Sequence, residues 1–273
     1  MIKAKLRRLL LKIRKHRSTK GLPVLSEPPV WQVPDGLTVT AVGDTGMRVI
    51  DNFLSPEEAE GLIKLHGDRV GRSTIIDTEG SSVADEYRTS SDTFIQVADH
   101  NPLVQAIVYR AASFFGLPVT HAETFSLTRY QSGEYYKSHY DHNGSLRADR
   151  LYTLLIYLNS LDADEGGGTL FNKLNLVTQP VQGRAVVWVN SEADKSVRKE
   201  SVHSSLPITS DTAEKWVAQL WFRSYPFDGG ATAPKRTAPG AGVPLNESMG
   251  LPFGVAVPKP EDIPEDAKNP VFD

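Results

Sequence analysis

The chain has 273 residues, 40% of them hydrophobic, no cysteine and a formal net charge of −3. This length allows one large or two ordinary domains, and the lack of cysteine excludes disulfides, thiolate metal sites and a cysteine nucleophile, leaving His, Asp and Glu as ligands. The charge is uneven: residues 1–20 carry nine Lys/Arg and no Asp/Glu, which leaves 21 basic against 33 acidic residues, or −12, for the remainder. An acidic body argues against a nucleic-acid groove.

In the basic head (MIKAKLRRLLLKIRKHRSTK), Leu6, Leu9, Leu10 and Ile13 recur at helical spacing. It could lie as an amphipathic helix on an anionic membrane surface, making weak contact. The plainer reading, a solvated tail, is preferred. Nothing in the sequence approaches the length of a membrane span, and a cytoplasmic location is expected. Residues 21–36 carry four prolines and read as a linker, so 1–36 form a basic tail with its linker. The main domain is placed at 37–226, followed by a Gly/Pro/Ala-rich tail at 227–273 without sustained periodicity.

Two helices are predicted. FLSPEEAEGLIKLHG has Ser55 as N-cap, Pro56 in the first turn and Glu58 as the return partner of a capping box. NPLVQAIVYRAASFFG has Asn101 as cap, then Pro102, an apolar face of Leu103, Ile107, Ala111 and Phe114, and Gly116 as stop. After Gly116 the chain breaks into about eight short segments rich in β-branched and aromatic residues: AETFSLTRY, YYKSHYD, RLYTLLIYLNS, GTLFN, LNLVTQPV, RAVVWVN, KSVRKESVHS and KWVAQLWFRSY. Strands following helices suggest two packed sheets or a jelly roll, with the helices covering one face.

The chemistry sits in these segments. His139 and Asp141 are two apart, a spacing that puts both side chains on one face of a strand. Beyond His142 the only later histidine is His203. Two histidines and one carboxylate form a set that occupies one side of an octahedral ion and leaves positions open, as suits non-haem Fe(II). An H-x-D also occurs in surface turns, so these residues alone leave a metal centre and an ordinary strand end both open. His142 fits a structural role better, since its side chain should leave the opposite face. Lys215 begins a strongly apolar strand, and a cation entering a core needs an anionic partner. A dicarboxylate cosubstrate would supply one, with the Tyr130 and Thr153 hydroxyls near the same carboxylate. The plain alternative for Lys215 is a strand-edge lysine that discourages aggregation.

Together these blocks resemble the prolyl 4-hydroxylase branch of the 2-oxoglutarate/Fe(II)-dependent dioxygenases over roughly residues 50–226. The segments that carry the resemblance are RSTIIDTEG…EYRTSSDTF, RYQSGEYYKSHYD, LYTLLIYLN, EGGGTLF, VQGRAVVWVN and VHSSLP…EKWVAQLW, in the family's order. The resemblance implies a mainly β fold with packed helices, a double-stranded β-helix (cupin-like jelly roll) with the N-terminal helices on its major sheet. It implies Fe(II) on His139, Asp141 and His203, and 2-oxoglutarate held by Lys215 with Tyr130 and Thr153. It also implies O₂ as oxidant and a use for ascorbate. Tyr136 and Trp221 match an aromatic pair at the substrate channel, and Arg88 lies in a loop region near the peptide site; the plain alternatives are core packing and a surface loop. His203 and Lys215 are twelve apart where the family usually has ten. The implied activity is hydroxylation of a prolyl residue in a peptide or protein, with 2-oxoglutarate converted to succinate and CO₂. The alternatives are the same chemistry on a free amino acid, a lysyl residue or a small metabolite, and a jelly-roll binding protein without turnover.

Overall fold

The computed structural model describes residues 37–76, 82–95, 101–142, 150–192, 196–224 and 226–227, together with a pair of two-residue strands at 245–246 and 251–252. The basic head, the proline-containing linker and most of the C-terminal tail lie outside the described residues.

Both expected helices form with the expected caps. In α1 (Pro56–His66) the Ser55 side chain accepts from Glu58 N, and the Glu58 carboxylate accepts from Ser55 N. Glu58 also holds Arg110 of α2 (Pro102–Phe115) through two bonds of 2.9 and 2.7 Å. One acid therefore closes the start of α1 and ties it to α2. The helices approach closely at Gly61, where a Cβ would stand 2.9 Å from Leu103 Cδ2. Asn101 caps α2, and Gly116 ends it in the left-handed conformation at φ 66°.

The strands form two facing sheets. The larger has eight strands in the order β1-β2-β12-β9-β14-β7-β6-β3. These are β1 (Thr38–Ala41), β2 (Arg48–Asp51), β3 (Gly71–Arg72), β6 (Ser91–Ile95), β7 (Phe125–Tyr130), β9 (Arg150–Tyr157), β12 (Ala185–Val189) and β14 (Lys215–Arg223). The smaller has the order β11-β10-β13-β8, from β8 (Tyr136–His139), β10 (Thr169–Phe171), β11 (Leu176–Thr178) and β13 (His203–Ser205). The short strands β4 (Ile75–Ile76) and β5 (Ser82–Val83) pair with each other apart from both sheets. Every segment predicted after Gly116 contributes one strand. KSVRKESVHS differs in detail: only its end is strand, because 199–201 close into a 3₁₀ turn. The strands before α1 carried no strong alternation; β1 is a largely exposed edge.

Alternation along the central strands builds two cores. Trp216, Ala218, Leu220 and Phe222 of β14, with Leu154, Ile156, Ala185 and Val187, pack against the helices. Their neighbours Val217, Leu155, Tyr157, Val186 and Trp188 point the other way, into the space between the sheets. Each fully buried Leu, Val or Phe contributes about 1.5–3 kcal/mol, so the register that separates these faces is strongly specified. The inner space is where the chemistry-bearing side chains meet.

Candidate active site

His139 and His203 face each other across the smaller sheet. β8 and β13 pair with His139 opposite His203 and Tyr136 opposite Ser205. Three steps along β8 thus match two along β13, which is a bulge. The extra residue brings Tyr136 and His139 to the same side, with their rings stacked at 3.6 Å between centroids. β8 ends at His139, so strand parity is not what aims Asp141. The Thr153 hydroxyl of β9 does this: it donates to Asp141 Oδ2 at 2.6 Å and accepts from Asn190 Nδ2 at 2.8 Å.

Asp141 Oδ1 lies 3.8 Å from His139 Nε2 and 4.0 Å from His203 Nε2, and one ligand atom from each residue falls within 4.8 Å of the others. His139 Nδ1 bonds Lys137 O at 2.8 Å and His203 Nδ1 bonds Ser201 O at 2.9 Å. A carbonyl can only accept, so Nδ1 carries a proton in each ring and Nε2 is the nitrogen turned toward a metal. His203 Nε2 is buried with no hydrogen-bond partner among the described residues. Burial, then the neighbouring His203, pushes the His139 imidazole down to about 3, so it is neutral, the form that binds metals. Burial alone would raise the Asp141 carboxyl, but His203, His139, Arg150 and the Thr153 hydroxyl together hold it below the ordinary range. Two imidazoles that each turn Nε2 inward and an ionised carboxylate, converging on one point, fit a divalent ion with open positions.

Lys215 lies at the other end of the inner space, paired with Tyr130. Only 1% of it is exposed. Its Nζ donates to Gly167 O at 2.7 Å and Ser205 Oγ at 2.5 Å, and sits 4.2 Å from the centre of the Tyr130 ring. No carboxylate among the described residues pairs with it, and burial pushes its ammonium down to about 7. A buried cation without a counter-ion is costly; an incoming carboxylate would remove that cost. The Gly-rich turn makes this corner. Gly167 has φ +69°, and a Cβ there would stand 2.7 Å from Leu161 Cδ1 and 3.5 Å from Lys215 Cδ. The corner thus fits one end of a dicarboxylate.

Known proteins agree with this geometry. The 2OG-Fe(II) oxygenase superfamily matches residues 125–223. Prolyl 4-hydroxylase 5 of Arabidopsis thaliana is 31% identical over 204 residues, 66% of this chain and 68% of that protein. Prolyl 4-hydroxylase 1 of the same plant is 32% identical over 195 residues, 64% and 68% of the two chains. The chain belongs to the prolyl 4-hydroxylase branch of the 2-oxoglutarate/Fe(II)-dependent oxygenases. A viral collagen prolyl hydroxylase from Paramecium Bursaria Chlorella virus-1, solved as its 2-oxoglutarate complex, is similar in fold, with a TM-score of 0.54 at 25% identity over 67% of this chain and 98% of that one. The oxygenase is a 2-oxoglutarate-dependent dioxygenase that uses Fe(II), 2-oxoglutarate and O₂.

The remaining expected residues divide. Thr153 requires a correction: it pairs with Trp221, at the opposite end of β14 from Lys215. Its hydroxyl is committed to Asp141 and Asn190, so it orients the carboxylate ligand and does not reach the Lys215 corner. Trp221 is buried on the same side as Thr153, with the Arg150 guanidinium 3.9 Å from its ring centre. Tyr136 covers His139 and meets Tyr87 edge to face. Arg88 is not on an open loop. It bridges to Tyr136 through the backbone, pairs with Asp92 at 2.7 Å and lies 5.0 Å from the Tyr136 ring centre. His142 is buried but outside the ligand cluster.

Sequence reasoning missed a buried charge cluster beside the triad. Glu123 accepts from Arg150 Nε and Nη2 at 2.8 and 2.7 Å and from Arg223 Nε at 2.8 Å. Burial would raise the Glu123 carboxyl, but the two arginines hold it at about 2. Arg150 Nη1 also reaches Asp141 O at 3.5 Å. The signal was present: Glu123 and Arg150 begin apolar strand segments, the feature that singled out Lys215.

Proposed function

We propose that this oxygenase hydroxylates prolyl residues of a peptide or protein, with His139, Asp141 and His203 holding Fe(II) and Lys215, beside Tyr130, holding the far carboxylate of 2-oxoglutarate. The observation that carries the cosubstrate assignment is the buried Lys215 ammonium without an anionic partner among the described residues, in the same inter-sheet space as the three ligands. Iron with 2-oxoglutarate and O₂ supplies an oxidant able to turn an unactivated C–H bond into C–OH, with release of succinate and CO₂. The chain's own residues set where this happens. Thr153, itself held by Asn190, holds the Asp141 carboxylate, the carbonyls of Lys137 and Ser201 hold the two imidazoles, and the apolar inner faces of β9, β12 and β14 exclude water. The choice of a prolyl substrate is supported by the relatives' names and by Tyr136, a partly exposed aromatic ring beside the triad of a kind that suits a pyrrolidine ring.

Incubation with Fe(II), 2-oxoglutarate, ascorbate and a panel of proline-rich peptides tests this. Succinate should form together with a gain of one oxygen on a prolyl residue. Succinate without peptide oxidation across a broad panel would overturn the prolyl assignment and favour a free amino acid or small metabolite.

A further inference from the structure

Strand β13 carries more than a metal ligand. Ser205 follows His203 by two positions, and β13 runs in regular register against β10, with Phe171 opposite His203 and Thr169 opposite Ser205. Residues two apart on a strand share a face and stand about 6.4–6.8 Å apart along it, so Ser205 enters the space between the sheets one step on from His203. It is 7% exposed. Its hydroxyl accepts from Lys215 Nζ at 2.5 Å, and the Tyr130 hydroxyl is its other polar neighbour. A serine oxygen has one proton to donate and two lone pairs that accept. Lys215 occupies a lone pair and leaves the proton available, and a hydroxyl that accepts from an ammonium is the stronger donor for it.

Resting on the cosubstrate assignment above, we infer that Ser205 is a further binding residue for 2-oxoglutarate: its hydroxyl donates to the far carboxylate, the one that Lys215 holds. Position supports this. The acid has to reach from the ion to Lys215, and Ser205 links the two, since it shares a face with His203 and touches the ammonium. Chemistry supports it as well. A carboxylate offers about four acceptor sites, whereas Lys215 already gives one of its protons to Gly167 O. Further donors are needed, and the Ser205 hydroxyl is the one in direct contact with Lys215. The same oxygen serves before the acid arrives, when it provides one of the two hydrogen bonds that the described residues give the buried ammonium. With the acid bound, it keeps that bond and turns its proton to the carboxylate. The competing role is a placeholder. A Ser205 that only accepts from Lys215 would have to surrender the ammonium to the incoming acid, and its removal would tighten binding instead of weakening it.

Calorimetric titration of the full chain, with Mn(II) in place of iron, against two acids tests this without turnover. 2-Oxopentanoate keeps the 2-oxo acid end of 2-oxoglutarate and has a methyl group where the far carboxylate would be. Ser205→Ala should weaken 2-oxoglutarate about tenfold, the size usual for a hydrogen bond to a charged group, and should change 2-oxopentanoate by less than about twofold. Ser205→Cys, close in size and only a weak donor, should show the same selective loss, and it replaces the alanine variant if that chain does not fold. Equal weakening of both acids would place the effect at the metal or in the fold and overturn the inference. Unchanged or tighter binding of 2-oxoglutarate would show Ser205 to be a placeholder and overturn it too, while the Lys215 assignment stands as long as the wild type prefers 2-oxoglutarate to 2-oxopentanoate. A wild type that binds the two acids alike would overturn the Lys215 assignment itself and this inference with it.

Discussion

Thr153→Val separates two roles for one hydroxyl. Valine keeps the shape of threonine but loses the donor to Asp141 Oδ2 and the acceptor for Asn190 Nδ2. Thr153 is 0% exposed and Asp141 5% exposed, so water does not replace the lost bond. A hydrogen bond to a charged group is worth about 1.5–3 kcal/mol, and about 1.4 kcal/mol is a factor of ten. The Asp141 carboxylate, free to rotate, should hold the metal about 10- to 100-fold more weakly, as for other residues that orient a ligand. Calorimetric titration of metal-free protein with Mn(II) or anaerobic Fe(II) reads this directly. KM for 2-oxoglutarate at saturating iron should change by less than about twofold, and Thr153→Ser should recover most of the metal affinity. The reasoning fails if metal affinity is unchanged while KM for 2-oxoglutarate rises, since Thr153 would then bind the cosubstrate.

Lys215→Met should abolish the thermal shift caused by 2-oxoglutarate without lowering Tm in its absence, because it replaces a buried unpaired cation with an apolar chain of similar size; a large drop in the ligand-free Tm would contradict this. The Lys215 ammonium is held at about 7, below the ordinary lysine value, so without cosubstrate the folded state should gain stability as pH rises from about 7 towards 10.5, and 2-oxoglutarate should bind more weakly over the same range; pH-dependent unfolding and calorimetry would reveal the opposite trend if the corner is misread. Glu123→Gln leaves two buried arginines without their anion and should cost about 3–5 kcal/mol near neutral pH. Because the Glu123 carboxyl is held at about 2, its stabilisation is present above about 4.5 and is lost as pH falls towards 2, so urea unfolding should show the wild type converging on the variant in acid. Gly183→Ala should prevent stable folding at 37 °C: φ is +77°, where a side chain is strained by about 1–2 kcal/mol, and the new Cβ would meet Leu54 O at 2.2 Å; a Tm within a few degrees of wild type would refute it.

The helices and most strands were legible because their signals are local. Ser55, Glu58, Asn101 and Gly116 set the helix ends through bonds within a few residues, and apolar alternation in LYTLLIYL and KWVAQLWF specifies which side chains face which core. The bulge in β8 was not legible, since it exists only in the pairing with β13. Arg88 read as a loop residue because Asp92 and Tyr136 reach it only in the fold.

By itself the amino-acid sequence determined the kinds of group available: with no cysteine, a short-range His/Asp pair and one lysine at the head of an apolar strand, the donor set was nearly decided before any folding. Tertiary structure decided how each group is used. Asp141 is aimed by a threonine twelve residues away, and Lys215 is buried where none of the described residues gives it an anion. Glu123 and its two arginines, spread over a hundred residues, form one cluster. Such assignments depend on which atoms approach within about 3 Å of one another, and sequence spacing constrains that only inside a single helix or strand.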